Sequence, residues 1–344
     1  MVRQPFDDLG TILLADELID VAFGRASKVA EKPSQRRRPL TMARKREASR
    51  IKTAGQILVN KLTQIVKEFP QLDEVHLFYR ELADVLVGVG NLKQSLGALN
   101  WAAKMIKVFT DQTLRRVRRV REAEEAARLR SRAYGRMASI ISRVENDLEF
   151  LKEASSQLRQ LPSIDTETIT IVVAGYANVG KSTFVKQVST AKPEINIYPF
   201  TTKGIILGHK KTPSGRCQIV DTPGLLDRPL HERNQIERQA ILALKHLAYS
   251  IVFIFDPSET CGYSFTHQLN LYHELIKEFA HIPFIKVLNK VDLTDPATIK
   301  RAKTLLGDHS FETVAEEGVG VQEVFKEALT LASQSSKSLT LQPS

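Results

Sequence analysis

Apolar residues in the first 160 positions recur at helical intervals. One stripe, with members seven, four, three and four residues apart, lies on a single helix face and comprises Ile51, Leu58, Leu62, Ile65 and Phe69. Thr41 is the expected N-cap of this helix. A second stripe runs from Met137 to Leu151, and a third helix is predicted over Asn91 to Thr110, around Trp101. The pattern predicts an all-α helical bundle for residues 1–160.

After residue 160 the helical spacing gives way to short apolar runs rich in β-branched residues. Such runs are typical of buried strands, and they span residues 168–174, 205–209, 217–220 and 284–288. With helical segments between them, they predict an α/β domain over residues 161–335, a mostly parallel sheet with helices on both faces. Residues 162–166 are the expected junction, and 336–344 are expected to form a flexible C-terminal tail.

The clearest candidate site follows the first of these strands. Residues 175–182 are Gly-Tyr-Ala-Asn-Val-Gly-Lys-Ser, which matches the phosphate-binding loop (P-loop) pattern G-x-x-x-x-G-K-S between a strand and a helix. In this setting backbone amides and the helix N-terminus hold a polyphosphate. The residues expected to bind nucleotide here are Asn178, Val179, Gly180, Lys181, Ser182 and Thr183. Lys181 should bridge the β- and γ-phosphates, and Ser182 should ligate Mg²⁺.

Two further motifs lie at strand ends, where ligands of open α/β sheets bind. One is Asp221-Thr-Pro-Gly224, and the other is Asn289-Lys290-Val-Asp292. The Asp292 carboxylate can accept two hydrogen bonds from guanine N1 and N2, which adenine cannot offer, while Asn289 can meet the opposite edge of the base. A site built on such bonds rejects the unmatched base by roughly 10⁴-fold or more. The sequence therefore predicts GTP and GDP as ligands.

Two segments should change with the state of the nucleotide. In residues 198–204, Thr202 is expected to join the loop serine on Mg²⁺ in the triphosphate state, with Thr201 as the alternative. Asp221 should hold a magnesium-bound water, and the Gly224 amide should touch the γ-phosphate. Loss of that phosphate would release both segments, which makes them switches. The candidates for catalysis are Lys181, Thr202 and Gly224.

Hydrolysis of GTP should be slow in the isolated protein. Leu225 stands where Ras-like enzymes carry the glutamine that orients the attacking water, so an unaided rate on the order of 10⁻⁴ to 10⁻² s⁻¹ is expected. Asn178 is a candidate ligand for K⁺ beside the phosphates; a hydrogen bond that stabilises the loop is the alternative. Arg228, His231 and Arg233 could assist, although such residues more often form surface ion pairs.

Charge divides unevenly along the 344 residues. Residues 1–160 hold 30 Lys and Arg against 20 Asp and Glu, whereas the remainder holds 19 of each, so the net charge of +10 lies in the first part. This excess indicates a polyanionic partner for the first domain. There is no run of 18 apolar residues, no apolar signal core and no cysteine beyond Cys217 and Cys261. A cytoplasmic location with no membrane partner is therefore expected.

Two basic clusters stand out in that first part. One joins residues 35–38 to 44–46, and the other runs from Arg115 to Arg121 and continues toward Arg136. Contact with RNA phosphates is favoured over a solvated face balanced by acidic residues 122–125 and over a membrane-surface helix, which would need a bulky apolar face. No aromatic stacking platform is apparent, so the contact should use backbone charge and weaken steeply with salt.

These motifs also carry a family resemblance. The phosphate loop, residues 198–204, residues 221–230 followed by Glu-Arg-Asn, and residues 239–247 resemble the Nog-type nucleolar GTP-binding protein family of Obg-like GTPases. The helical first half fits that family too. The resemblance implies a switch in large ribosomal subunit assembly, with ribosomal RNA and the subunit precursor as partners. Without the long C-terminal extension of eukaryotic members, the chain resembles the short, archaeal-type form, expected to be monomeric off the ribosome.

Two positions depart from the family pattern, and two alternative functions stay open. Ala177 replaces a common proline, and Glu312 stands where the guanine loop usually has serine, although the Thr313 amide can still reach guanine O6. One alternative is an Obg-type or developmentally regulated GTPase that acts on mature ribosomes or translation. The other is a non-catalytic assembly module in which GTP is structural. A P-loop ATPase or kinase would give Asn289 and Asp292 no purpose.

Overall fold

A computed structural model describes residues 3–28, 39–190, 192–196, 198, 204–213, 215–307 and 309–339. The chain forms two compact units. The helical unit comprises Pro5–Val75 and Leu86–Arg159, and the sheet unit comprises Met1–Gln4, His76–Val85 and Gln160–Ser344. Within the described ranges, every helix is too short or too polar to cross a membrane.

The helices of the first 160 residues confirm the predicted all-α character. In chain order they are α1 (Ala15–Ser27), α2 (Pro39–Glu68), α3 (Leu77–Val87), α4 (Val89–Val117), α5 (Ala123–Ser142) and α6 (Glu145–Leu158). The stripe predicted on α2 faces the core, because Ile51, Leu58 and Leu62 are fully buried. Burying apolar side chains of this size stabilises the fold by about 1.5–3 kcal/mol each.

Helices α2 and α4 approach each other closely. A Cβ at Gly55 of α2 would collide with the Thr110 side chain of α4, so the absence of a side chain permits this crossing. Helix α2 begins at Pro39, and the expected N-cap at Thr41 is therefore wrong. Proline is favoured at the first helical position because it lacks the amide hydrogen that would need a partner there.

The arginine-rich cluster is interrupted by a helix end. An uninterrupted helix through the cluster would put Val117 and Val120 on one apolar stripe, but α4 ends at Val117 and α5 begins at Ala123. Val120 is buried in the connection, where its carbonyl accepts a hydrogen bond from the Arg44 guanidinium at 2.8 Å. The arginines from 115 to 121 therefore continue from the end of a helix into a loop.

The sheet unit contains a seven-stranded sheet within its described residues. The strands are β1 (Ile169–Ala174), β2 (Glu194–Asn196), β3 (Ile205–Thr212), β4 (Gly215–Asp221), β5 (Ala248–Phe255), β6 (Phe284–Asn289) and β7 (Ser310–Thr313). Their order is β2-β3-β4-β1-β5-β6-β7, with β2, β3 and β4 joined antiparallel and the other neighbours parallel. The predicted mostly parallel sheet is confirmed, and the motifs lie at its carboxyl edge.

Helices cover both faces of this sheet, as predicted. They are α7 (Lys181–Val188), α8 (Gln235–Leu242), α9 (Phe265–Glu278), α10 (Pro296–Leu306) and α11 (Val321–Leu339). Alternate residues of a strand point to opposite faces: the Phe253 ring contacts Tyr272 of α9, whereas the Ser250 hydroxyl donates to the Ala328 carbonyl of α11. Helix α11 continues through Leu339, beyond the expected start of the tail at 336, and residues 340–344 lie outside the described residues.

Residues 76–85, expected in the helical domain, belong instead to the sheet unit. Phe78 and Tyr79 of α3 are buried, and the Tyr79 hydroxyl accepts from the Ile164 amide at 2.9 Å. The same hydroxyl lies 2.9 Å from the Pro162 carbonyl. These aromatic anchors hold α3 to the segment that enters β1, which helical periodicity alone could not reveal.

Candidate nucleotide-binding site

The phosphate loop has a backbone that few residue types adopt. It joins β1 to α7, and φ is positive at Gly175 (134°), Asn178 (62°) and Gly180 (105°). At Gly180 a Cβ would collide with the Asn289 side chain, and at Gly175 it would collide with the Ile254 carbonyl. Glycine is needed at both positions because no side chain fits and left-handed backbone is strained elsewhere. The loop is thus shaped by the two strands beside it.

Lys181 begins α7 and lies across the loop. Its ammonium donates to the Tyr176 carbonyl at 2.7 Å, and the residue is buried. The tether keeps the charge over the space enclosed by the loop amides and the helix N-terminus, where anions bind. An incoming phosphate oxygen can replace this carbonyl as the acceptor of the Lys181 hydrogen bond.

Ser182 and Asp221 meet at the next turn of the site. The Ser182 hydroxyl donates to Asp221 Oδ2 at 2.5 Å, and Oδ1 of the fully buried carboxylate has no hydrogen-bond partner among the described residues. Burial raises the pKa of Asp221 above its ordinary value, although Lys181 acts in the opposite direction. A buried, unpartnered carboxylate oxygen beside a hydroxyl fits Mg²⁺, which prefers oxygen ligands. The sequence assigned both residues to one cation, and the structure places them within hydrogen-bond distance of each other.

The segment after Asp221 is held by residues whose roles the sequence did not reveal. The Gly224 amide donates to Asp227 Oδ2 at 2.8 Å. Arg233 donates to the Leu225 carbonyl at 2.7 Å and to Asp227 Oδ1 at 3.3 Å. Because the Arg233 side chain is 1% exposed, it supports this loop from inside. The Gly224 amide, which was expected to contact the γ-phosphate, thus donates to the Asp227 carboxylate instead.

The neighbouring basic residues lie beside carboxylates, the arrangement expected of surface ion pairs, which is the second of the two uses considered for them. Arg228 lies 3.9 Å from Glu237, and His231 lies 3.7 Å from Glu274. Leu225 is 2% exposed, so its side chain packs inside the protein and does not reach toward a water.

Asn289 ties the phosphate loop to the base side of the site. Its Nδ2 donates to the Val179 carbonyl at 2.8 Å, and its Oδ1 accepts from the Thr313 hydroxyl at 3.0 Å and the Ala315 amide at 2.9 Å. Asn289 and Thr313 are buried. Asn289 therefore joins the phosphate loop to the loop after β7. The sequence predicted only a contact with the base edge.

Lys290 and Asp292 follow β6 in different settings. Asp292 is exposed in the turn Val291–Leu293. Lys290 is left-handed at φ 59° and donates to Asp256 Oδ2 at 2.8 Å and to the Thr260 hydroxyl at 2.9 Å. Asp256 lies directly after β5, so the strand-end rule that selected Asp221 would have selected it too.

Two expected ligands cannot be placed, and one expected alternative is not observed. Thr201 and Thr202 lie outside the described residues. Tyr198, just before them, is fully buried and donates to the Ala240 carbonyl of α8 at 2.7 Å. The exposed Asn178 side chain forms no hydrogen bond to other described residues, so the loop-stabilising bond considered for it is not seen.

The strand–loop–helix phosphate site, the Ser182–Asp221 pair and the Asn289 tether lie at one edge of a mostly parallel sheet. This combination defines a GTP-binding protein with the P-loop GTPase fold.

Comparison with known proteins identifies the family. The family described as "NOG1 N-terminal helical domain" matches residues 6–165, and the family described as "Nucleolar GTP-binding protein 1 (NOG1)" matches residues 235–292. The chain belongs to the NOG1 family of nucleolar GTP-binding proteins.

Relatives resemble the chain over most of its length. An uncharacterised protein of Methanocaldococcus jannaschii is 41% identical over 298 residues, covering 86% of this chain and 83% of that protein. Nucleolar GTP-binding protein 1 of Caenorhabditis elegans is 36% identical, covering 90% of this chain and 45% of that protein. The chain thus spans about half the length of this eukaryotic relative. A solved Plasmodium falciparum structure described as nucleolar GTP-binding protein 1 is 30% identical with a TM-score of 0.45, covering 53% of this chain and 94% of that one.

The expected cytoplasmic location is wrong. The relatives from C. elegans and Saccharomyces cerevisiae are both named nucleolar GTP-binding protein 1, which indicates the nucleolus for the eukaryotic members. Leader sequences and apolar spans distinguish secreted and membrane proteins from the rest. They do not distinguish compartments within the cell.

Proposed function

We propose that this chain hydrolyses GTP and acts as a nucleotide-dependent switch in large ribosomal subunit assembly, through binding of ribosomal RNA. The observation that carries the nucleotide part is the buried Ser182–Asp221 pair, with an unpartnered carboxylate oxygen, beside a tethered Lys181. Such an arrangement can position phosphates and a divalent cation and neutralise the phosphate charge.

Each residue of the phosphate side has a defined task in this proposal. Lys181 exchanges the Tyr176 carbonyl for oxygens of the β- and γ-phosphates. Ser182 and Thr202 would hold Mg²⁺ and Asp221 would hold one of its waters; the cation would supply neutralisation of phosphate charge. The Gly224 amide turns from Asp227 to the γ-phosphate.

The base side selects guanine over adenine. The Asp292 carboxylate accepts from guanine N1 and N2, and Lys290 lies along the base. Asn289 and Thr313 keep the loops in register through their mutual hydrogen bond, and the Thr313 amide reaches O6. The exposure of Asp292 before ligand arrives supports this role, because a carboxylate already bonded to the protein would have to exchange partners.

Turnover is slow in the isolated chain, and K⁺ is a candidate accelerator. The buried Leu225 side chain supports slow hydrolysis because it cannot orient water. The Asn178 side chain, exposed and without a hydrogen bond to described residues, is available as a K⁺ ligand. Equal turnover in KCl and NaCl would remove K⁺ from the proposal and leave the rest intact.

The RNA part rests on charge and on the family. Arg115, Arg116, Arg118 and Arg119 are exposed and form no ion pair with described residues, whereas Arg128 pairs with Glu124 at 3.0 Å. Unpaired arginines at this density suit a polyanion. The nucleolar names of the relatives support ribosomal RNA as that polyanion and the subunit precursor as the particle.

The nucleotide proposal is tested by measuring affinities for GTP, ATP and xanthosine triphosphate. The chain should prefer GTP over ATP by roughly 10⁴-fold. Asp292→Asn should lose most of its GTP affinity and gain affinity for xanthosine triphosphate, whose C2 carbonyl accepts from the new amide. Asp111→Asn, a change at an exposed carboxylate of the helical unit, controls for the lost charge. Equal affinities for ATP and GTP would overturn the proposal.

A further inference from the structure

Helix α4 carries an apolar ridge on its solvent side. Trp101, Met105 and Val108 are 41%, 37% and 51% exposed, and intervals of four and three residues place them on one face. We name these three residues the α4 stripe. The helix has already buried its opposite face, including Leu99 and Ile106, in the core. The three side chains of the stripe are therefore not part of the core of the helical unit.

Trp101 is the only tryptophan in the chain. An indole held by a rigid helix presents a flat surface at low conformational cost, since its backbone is already fixed. Aromatic side chains of this kind stack with nucleic-acid bases, and each such contact contributes about 1–3 kcal/mol.

The charges beside the α4 stripe identify the kind of partner. Lys104, Lys107 and Arg115 are exposed and form no ion pair with described residues. Helical geometry places Lys104 and Arg115 along one side of the stripe, with Asp111 as the acidic residue among them. The apolar part of this surface consists of three side chains, and the cations beside it favour a polyanionic partner over a protein docked through apolar contact. A flat ring beside cations suits a base and its phosphates instead.

We propose that the α4 stripe is an RNA-binding surface, in which Trp101 stacks on an unpaired base and Lys104 contacts the adjoining phosphate, while Arg115, about 21 Å from Trp101 along the helix axis, contacts a phosphate several nucleotides away. The partner is a looped or bulged RNA, because bases inside a duplex have no free face to stack on. The identity of that RNA as ribosomal rests on the proposed function, but the stacking contact does not.

This proposal departs from an expectation drawn from the sequence. The arginine clusters indicated contact through phosphate charge alone, with no aromatic platform. Periodicity places Trp101 on a helix but does not say whether it faces the core. The structure shows that the neighbouring Ala102 and Ala103 face inward, which leaves the indole outside.

The single tryptophan makes the test direct, because all indole emission comes from the α4 stripe. The full chain is titrated with a hairpin RNA that has an unpaired loop and with a fully paired duplex of equal length. The hairpin should quench the emission, whereas the duplex should bind through charge with little quenching. Trp101→Ala should weaken hairpin binding roughly 5- to 100-fold and leave duplex binding unchanged.

Two variants control this comparison. Trp101→Phe should retain most hairpin affinity because phenylalanine still stacks. Leu305→Ala, at a side chain 54% exposed on α10, should behave as the unchanged chain. Circular dichroism checks that the helices of each variant persist.

The possible outcomes separate the stacking contact from the proposed function. If the hairpin binds with unchanged emission and Trp101→Ala binds it equally well, the stacking proposal is wrong while RNA binding stands. If no RNA binds at all, the ribosomal proposal fails as well. An emission blue shift that grows with protein concentration alone would show that a second copy covers the stripe, and would overturn its assignment to RNA.

Discussion

The Asp256 carboxylate organises the loop that follows β5. It accepts from Lys290 at 2.8 Å, from Thr260 at 3.0 Å and from the Cys261 amide at 2.9 Å. Burial acts to raise the pKa of Asp256, but the hydrogen bonds from Lys290 and Ser258 outweigh it and hold the pKa below its ordinary value. The ionised carboxylate is therefore part of the folded site.

A lowered pKa makes the Asp256 network sensitive to pH. Because the folded-state pKa lies below the ordinary value of 3.8, its stabilisation is fully present above 3.8 and is lost as the pH falls through the folded-state value. Asp256→Asn should lower the free energy of unfolding by about 1–3 kcal/mol near pH 7. The difference between the variant and the unchanged chain should shrink in acid.

Urea denaturation at pH 7 and pH 3 measures this difference. Asp111→Asn, which removes an exposed carboxylate, should cost less than about 0.5 kcal/mol at both pH values. A pH-independent loss for Asp256→Asn would mean that shape rather than charge holds the loop.

At the scale of single residues, the sequence predicted which side chains gather at one sheet edge better than it predicted their contacts. Motif spacing placed Asp221 and Asn289 at strand ends, where ligand-binding residues gather, and the structure has both at that edge. It did not reveal that Asn289 joins Val179 to Thr313, because that bond depends on how two distant loops pack. For the same reason, the roles of Asp227 and Arg233 were not predicted. Each bonds to a backbone group whose position periodicity does not define.

Among the elements, α3 contacts residues on both sides of the sheet unit's proposed switch segments. Its Phe78 ring lies 6.3 Å from that of Tyr198, and its Glu81 contacts His246, just beyond α8, at 2.7 Å. Tyr198 in turn bonds to the Ala240 carbonyl of α8. Helix α3 therefore contacts Tyr198, which precedes Thr201 in the chain, and the turn that follows α8.

Removing the Tyr198 hydroxyl tests how firmly this assembly is held. Burial raises the pKa of Tyr198 well above its ordinary value of 10.0, so the hydroxyl remains a donor at any working pH. Tyr198→Phe should lower the free energy of unfolding by about 0.5–1.5 kcal/mol, measured by urea denaturation. Tyr249→Phe is the matched control, because that hydroxyl bonds to no described residue, and it should change stability little.

Most elements could be predicted from the sequence, but the unit to which α3 belongs could not. Long periodic segments such as α2 and α4 are visible because each has its own apolar stripe. An eleven-residue helix that packs through two aromatic residues has the same periodicity whichever unit it joins. Only long-range contacts decide that question.

Across the whole molecule, positive charge and the nucleotide site belong to different parts of the chain. The first 160 residues carry the entire net charge of +10, whereas the phosphate loop and base motifs lie after them. RNA affinity should therefore depend on salt far more strongly than nucleotide affinity does.

Charge removal within the arginine cluster tests that dependence. Changing Arg118 and Arg119 together to Gln should reduce the log–log salt slope of RNA binding by about 1.4 to 1.8, since each phosphate neutralised contributes roughly 0.7 to 0.9. Arg128→Gln is the control, because Arg128 already pairs with Glu124. Filter binding between low and moderate KCl gives the slope, and a flat response in the unchanged chain would contradict the charge-based account.

The placement of α3 also governs how this chain can be dissected. Expression of a fragment starting at residue 160 would omit Phe78 and Tyr79, so a groove normally filled by aromatic rings would open to solvent. The Ile164 amide would lose its hydroxyl acceptor. Such a fragment should aggregate or lose local stability near Tyr198. Low activity of the fragment would then reflect the missing helix rather than an intrinsic property of the nucleotide pocket.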